Sequence, residues 1–229
     1  MSAPAILKDD AVMAARKRLA RIGRLLFRRN LTDAAGGNIS ERVGDVVVMS
    51  PSLIGTDRQW RLKPEDTLVV DMNRNILVGS GKLTREAHVH FRLHEEFGEY
   101  GTGVIHAHAR NILVFAALAR PIPAILEATR KFGETPVIDY APAHSPVLAD
   151  RIIATMKGRE DRIRKHAAGT IAPWHGIFLM GRSLNGAFDA VERLDTSAYI
   201  LLMAQMAGGS PQLEQERQQM EAAIAGFKE

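Results

Sequence analysis

No cysteine occurs in the 229 residues. Disulfide staples, thiolate metal ligands and a cysteine nucleophile are therefore excluded, which leaves histidine and carboxylate as the strong metal ligands. Long apolar runs are missing as well. The longest, Ile112 to Ala119, falls far short of the roughly 18 residues a membrane span needs. The opening stretch MSAPAILKDDAVMAA places acids soon after a short apolar patch and has no cationic start, so no secretory signal and a cytoplasmic setting are expected. Charge of one sign is not in excess either. Against 26 acids stand 30 Lys and Arg, a formal +4 that implies no nucleic-acid partner unless the cations gather in one place.

They gather only between Arg16 and Arg29, where Arg16, Lys17, Arg18, Arg21, Arg24, Arg28 and Arg29 alternate with Leu19, Ile22, Leu25, Leu26 and Phe27. The apolar set recurs at helical spacing, predicting an amphipathic helix with a basic outer face. Such a face suits RNA, a membrane surface or an anionic substrate, but it is most often simply solvated, and that is the expectation here.

The remaining composition, 46% hydrophobic and 24% charged, is that of an ordinary folded protein. At about 150 residues per domain the length favours one domain over 1–229, with a core at about 10–210 and a helical tail at 211–229. LTDAAGGNIS, at 31–40, reads as a turn-rich loop, and β-branched runs at Val46–Met49, Thr67–Asp71 and Ile76–Val78 read as strands. The polar loop from Ser50 to Trp60 is long enough to be functional. A helix capped by Thr84 is predicted to run to about Phe97. Gly103–His108 reads as a buried strand, followed by a helix over Asn111–Ala119. Pro121 to Pro146, with five of the ten prolines, is expected to wrap the surface with short strands. Helices follow at about Pro146–Lys157 and Asp161–His166, then strand character over Thr170–Met180 and a long helix from Leu184 to about Met206. Gly208, Gly209, Ser210 and Pro211 are expected to end it and introduce a polar terminal helix. The predicted fold class is α/β, a central, mainly antiparallel sheet flanked by helices.

His106 and His108 are the strongest local feature. Two residues apart on a strand, they project to one face with Cα atoms roughly 6.5 Å apart and can share a metal. His175, between Trp174 and Gly176 at the mouth of an apolar strand, is the best third ligand. His90 and His94, four apart on one helix face, form a competing pair, although the arrangement of zinc proteases is missing and surface or supporting histidines are the commoner outcome. Glu86 falls in the first turn of the helix opened by Thr84, where free amides favour negative charge, and Lys82 and Arg85 beside it suit an anion.

GGNIS at 36–40, SPS at 50–52, GKLTRE at 81–86 followed by His90, VIHAH at 104–108 and HGIFLMG at 175–181 occur in an order that resembles the class II aldolase and adducin head-domain family, in its fuculose-phosphate aldolase branch. The resemblance covers about residues 10–210. It implies a helix-flanked antiparallel sheet, assembled as a homotetramer with sites between subunits. It further implies a divalent metal, usually zinc and otherwise manganese or cobalt, on His106, His108 and His175. Glu86 matches a carboxylate acting as acid and base, and Asn38, Ser52 and Thr84 match positions that hold a substrate phosphate.

Three departures stand out. Thr84-Arg85 replaces a Ser-Ser pair, so Arg85 is a further candidate phosphate contact. Leu53 stands where a glycine is common. Glu127, in IPAILEA, stands where a tyrosine proton donor is usual and looks more like members that process methylthioribulose phosphate. The implied activity is cleavage of a ketose 1-phosphate to dihydroxyacetone phosphate and an aldehyde. Dehydration of a methylthioribulose-type phosphate, or a metal-free adducin-like interaction module, are the alternatives.

Overall fold

A computed structural model describes residues 3–207 and 210–226. The elements in order are helices α1 (Ala3–Ile6) and α2 (Asp10–Arg28), strands β1 (Asn38–Val43) and β2 (Val46–Met49), helix α3 (Ile54–Arg58), strands β3 (Leu68–Asp71) and β4 (Ile76–Val78), helix α4 (Ala87–Phe97), strand β5 (Gly103–Ala107), helices α5 (Arg110–Ala117), α6 (Glu127–Arg130), α7 (Pro146–Met156) and α8 (Glu160–Lys165), strands β6 (Ala167–Ala172) and β7 (Gly176–Gly181), and helices α9 (Leu184–Met206) and α10 (Ser210–Gly226). The strands form one antiparallel sheet in the order β4-β3-β2-β1-β5-β7-β6.

Alternation along the strands divides the core. Ile39, Val48, Ile105, Ala107, Ile177 and Leu179 pack with α2, α5 and α9 on one side. Val104, Phe178 and Met180 pack with α4 and α7 on the other, where Val47, Met49 and Val70 also meet α4. Because side chains alternate with period 2, His106 shares the second face with Val104.

The strands expected at 46–49, 67–71 and 76–78 are present to within a residue. Three expectations are corrected. The presumed loop at 31–40 ends in β1, a central strand, because NISERV follows the turn-forming glycines directly. The presumed continuous strand Thr170–Met180 is a hairpin, broken at Pro173-Trp174-His175. Pro121–Pro146 forms only isolated bridges, Ile122 to Thr135 and Val137 to Ile171, with the short α6 between them, since its prolines remove ladder donors. Ser210 and Pro211 lie inside α10, whereas Gly208 and Gly209 lie outside the described residues.

The basic face of α2 is solvated as expected at Lys17, Arg21, Arg24, Arg28 and Arg29, with some of its cations also bonded within the chain. Arg16 is buried and donates to the Pro64 carbonyl and Thr67 Oγ1 at 3.1 and 3.0 Å, so it belongs to the core side and not to the solvated stripe. Arg18 pairs with Glu41 at 2.8 Å, Arg21 reaches Asn185 and Arg29 reaches Glu192.

Candidate active site

Four separate segments converge at the end of β5. Strand register places Asn38 of β1 beside His106 on one side and Phe178 of β7 beside it on the other. The Phe178 ring stacks on the His106 imidazole at 4.1 Å and fixes its plane. His108 follows directly after β5, and His175 sits in the β6–β7 turn. That turn holds Trp174 in a left-handed conformation (φ 58°), tied by its N–H to the Ala116 carbonyl at 3.0 Å. Close approach here demands glycine twice. A Cβ on Gly36 would lie 1.9 Å from the His108 ring, and one on Gly176, whose φ is +152°, would lie 2.6 Å from the Ala107 carbonyl oxygen.

One ring nitrogen from each of His106, His108 and His175 lies within 4.8 Å of the others, the single such cluster of metal-ligating groups among the described residues. Their hydrogen bonds favour that use. His106 Nδ1 donates to the Ile177 carbonyl at 3.0 Å, which leaves Nε2 as a bare lone pair. His108 Nδ1 faces Asp33 Oδ1 at 3.3 Å. Asp33 Oδ1 also accepts from the Ala35 and Gly36 amides, so one carboxylate shapes the glycine turn and orients the His108 ring. Burial, reinforced by the neighbouring imidazoles, drives the His106 pKa well below its ordinary value and that of His175 to about 4, which keeps both rings neutral and able to ligate. Buried His108 Nε2 and His175 Nδ1 have no hydrogen-bond partner. Orphaned buried polar atoms are costly, so these residues fit a divalent cation.

Glu86 is 2% exposed at the N-cap of α4, one residue before the first turn in which it was expected. Thr84 is no side-chain cap of the helix proper, but its hydroxyl lies 3.4 Å from the Glu86 amide. Glu86 Oε1 is 2.9 Å from His144 Nδ1 and 3.6 Å from His175 Nε2, yet both carboxylate oxygens are buried without a hydrogen-bond partner. Burial raises the Glu86 pKa, and His144 pulls it partly back. Nothing in the sequence reading pointed to His144. It lies in the proline-rich segment, in a left-handed conformation (φ 65°), and an isolated histidine in a turn carries no periodic signal.

Asn38, Ser52, Thr84 and Arg85 line one cavity of about 170 Å³ together with Glu86, His144 and the three histidines. The Ser50–Trp60 loop contributes Leu53 to Thr56 to its wall. Leu53 itself is left-handed (φ 63°), the physical reason glycine suits that position. Glu127 is elsewhere. It lines a different cavity with Arg130, Arg162 and Glu221, and within a single chain it does not meet the histidines. His90 and His94 are fully buried, bonded to Ser40 and Asn38, and are neither a surface pair nor part of the ligand cluster.

The profile of the class II aldolase and adducin N-terminal domain matches residues 17–202. The chain belongs to the class II aldolase family. An L-fuculose phosphate aldolase of Methanococcus maripaludis is 28% identical over 181 residues, which cover 79% of this chain and 92% of that protein. A 5-methylthioribulose-1-phosphate/5-deoxyribulose-1-phosphate aldolase of Rhodospirillum rubrum is 30% identical over 179 residues, 72% of this chain and 75% of that one. The solved structure of an L-fuculose 1-phosphate aldolase shares the fold, with a TM-score of 0.74 at 24% identity over 91% of this chain and 96% of that chain. As a class II aldolase the protein is an enzyme of the lyase class.

Proposed function

We propose that this class II aldolase cleaves a ketose 1-phosphate to dihydroxyacetone phosphate and an aldehyde. The observation that carries the reading is the shared cavity: three convergent histidines and a buried glutamate without a hydrogen-bond partner face donors that suit a dianion. The names of the two relatives, which act on fuculose phosphate and on methylthioribulose or deoxyribulose 1-phosphates, support the same substrate class.

His106, His108 and His175 would hold the metal, with zinc preferred over manganese or cobalt by an all-imidazole donor set. Bound there, a divalent cation supplies Lewis-acid polarisation of a substrate carbonyl. Asn38, Ser52, Thr84 and Arg85 bind the phosphate, whose binding energy then positions the reacting carbons. Cleavage takes a proton from the hydroxyl on the carbon that becomes the aldehyde and returns one to the carbon left beside the ketone. Glu86, with its raised pKa and carboxylate oxygens free of hydrogen bonds, is suited to carry the proton at the latter carbon. Glu127 is assigned the former from a neighbouring copy, which makes a homotetramer with shared sites the working assembly. Because Glu127 lies away from the cavity of its own chain, only a neighbouring copy could bring it to that task.

The test is product analysis with zinc-loaded protein and a panel of ketose 1-phosphates. Dihydroxyacetone phosphate and an equimolar aldehyde are expected, together with a tetrameric mass by sedimentation. Loss of water without dihydroxyacetone phosphate would replace the reading by dehydration. Absence of both metal uptake and turnover would leave an adducin-like module.

A further inference from the structure

Behind the cavity lies a row of polar side chains with no role in the chemistry above. Ser40, His90 and His94 have no exposed surface, and Asn38 is 6% exposed. His94 Nε2 lies 2.8 Å from Ser40 Oγ, Ser40 Oγ 2.7 Å from His90 Nδ1, and His90 Nε2 2.6 Å from Asn38 Oδ1. Burial keeps both imidazoles neutral, each with a pKa of about 3, so each ring carries one proton.

The protons in this row can be counted. Asn38 Oδ1 only accepts, so the single proton of His90 is on Nε2 and its Nδ1 is a bare lone pair. That lone pair takes the one proton of the Ser40 hydroxyl. Ser40 Oγ, its proton spent, must accept from His94, which places the His94 proton on Nε2 and leaves Nδ1 bare. Among the described residues His94 Nδ1 is indeed the member of the row with no partner. The row therefore runs from His94 through Ser40 and His90 to Asn38; the reverse direction would leave His94 Nδ1 a buried N–H with no acceptor, which is costlier than an unused lone pair.

We propose that His94, Ser40 and His90 are positioning residues that lock the polarity of the Asn38 amide. With Oδ1 held by His90, the face Asn38 turns to the cavity is its NH₂, a double donor. A flipped amide would present an oxygen to the anion instead. The inference rests on the reading that Asn38 contacts the substrate phosphate. It adds the reason an uncharged amide there discriminates for an anion, and it assigns a task to three residues that touch neither substrate nor metal.

Two measurements test it on the intact enzyme. Nitrogen-15 spectra of the unmodified protein should show Nε2–H and bare Nδ1 in both His90 and His94, and an Nδ1–H tautomer at His90 would overturn the proposal without any variant. In steady-state kinetics, His90→Leu should raise KM for the ketose 1-phosphate about tenfold with a smaller change in kcat, the loss expected for one orienting hydrogen bond. His90→Gln, whose side-chain amide can still donate to Asn38 Oδ1, should recover most of that loss. In an Asn38→Ala background His90→Leu should add nothing further, whereas a merely structural role would add its full effect and overturn the proposal. If Asn38→Ala itself leaves KM unchanged, the phosphate contact fails and the lock with it. If Asn38→Ala raises KM and His90→Leu does not, the lock alone fails.

Discussion

Glu86 combines burial, a histidine 2.9 Å away and two oxygens without a hydrogen-bond partner in a single side chain. Glu86→Gln preserves shape and leaves three imidazoles, but the amide cannot cycle a proton. Turnover should fall by about 100-fold or more, while metal content by elemental analysis stays near one per chain. Near-normal kcat would reduce Glu86 to a charge at a helix start. His144 is tested through pH. It lowers the Glu86 pKa, so His144→Ala should let that pKa rise further, and the acid limb of the kcat profile should move to higher pH. An unmoved limb would detach His144 from Glu86. The contrast between these residues shows what a sequence makes legible at this scale. Glu86 and the histidines at 106, 108 and 175 sit in motifs whose spacing has a meaning. His144 and Asp33 act through turns that bring them to the site only in three dimensions.

At the scale of elements, the β6–β7 turn is the most constrained part of the site. A side chain on Gly176 meets both the Ala107 carbonyl and a φ of +152°. Gly176→Ala should therefore cost on the order of 1–3 kcal/mol, and it should loosen metal binding because the distorted turn carries His175. Calorimetry and metal titration of the variant check both effects; an unchanged melting temperature would mean that the turn re-forms without strain. Sequence periodicity found β2, β3, β4 and β5 because each is a compact run of β-branched or apolar residues. It missed β1, since Ser40, Glu41 and Arg42 interrupt the apolar alternation. The structure explains why such residues tolerate a central strand: Ser40 enters the buried histidine row and Glu41 is paired with Arg18. It also joined β6 to β7, because Pro173-Trp174-His175 carries no glycine to announce a turn ahead of Gly176.

For the whole molecule, the buried histidines set acid tolerance. The unfolded chain protonates His90 and His94 below about pH 6.5, whereas the folded chain resists until about pH 3. Their contribution to stability is therefore complete above pH 6.5 and declines as pH falls, by about 1.4 kcal/mol per pH unit for each histidine. Melting temperatures measured from pH 7.5 to 5 should drop accordingly, and His94→Gln, which keeps a donor for Ser40 but takes up no proton, should flatten the slope. A parallel slope in the variant would show that His94 is protonated in the native state.

The two tryptophans of the chain occupy opposite surroundings. Trp60 has no exposed surface and its indole N–H donates to the Asp33 carbonyl at 3.2 Å. Trp174 is 68% exposed, rests against Tyr140 at a ring separation of 5.0 Å and directly precedes His175. Their fluorescence should accordingly separate into two channels. Iodide should quench the red-shifted Trp174 emission alone, and zinc added to chelated protein should alter that same component through the adjoining His175. The blue emission of Trp60 should respond only when denaturant opens the core, so light emitted by one chain distinguishes loading of the site from loss of the fold.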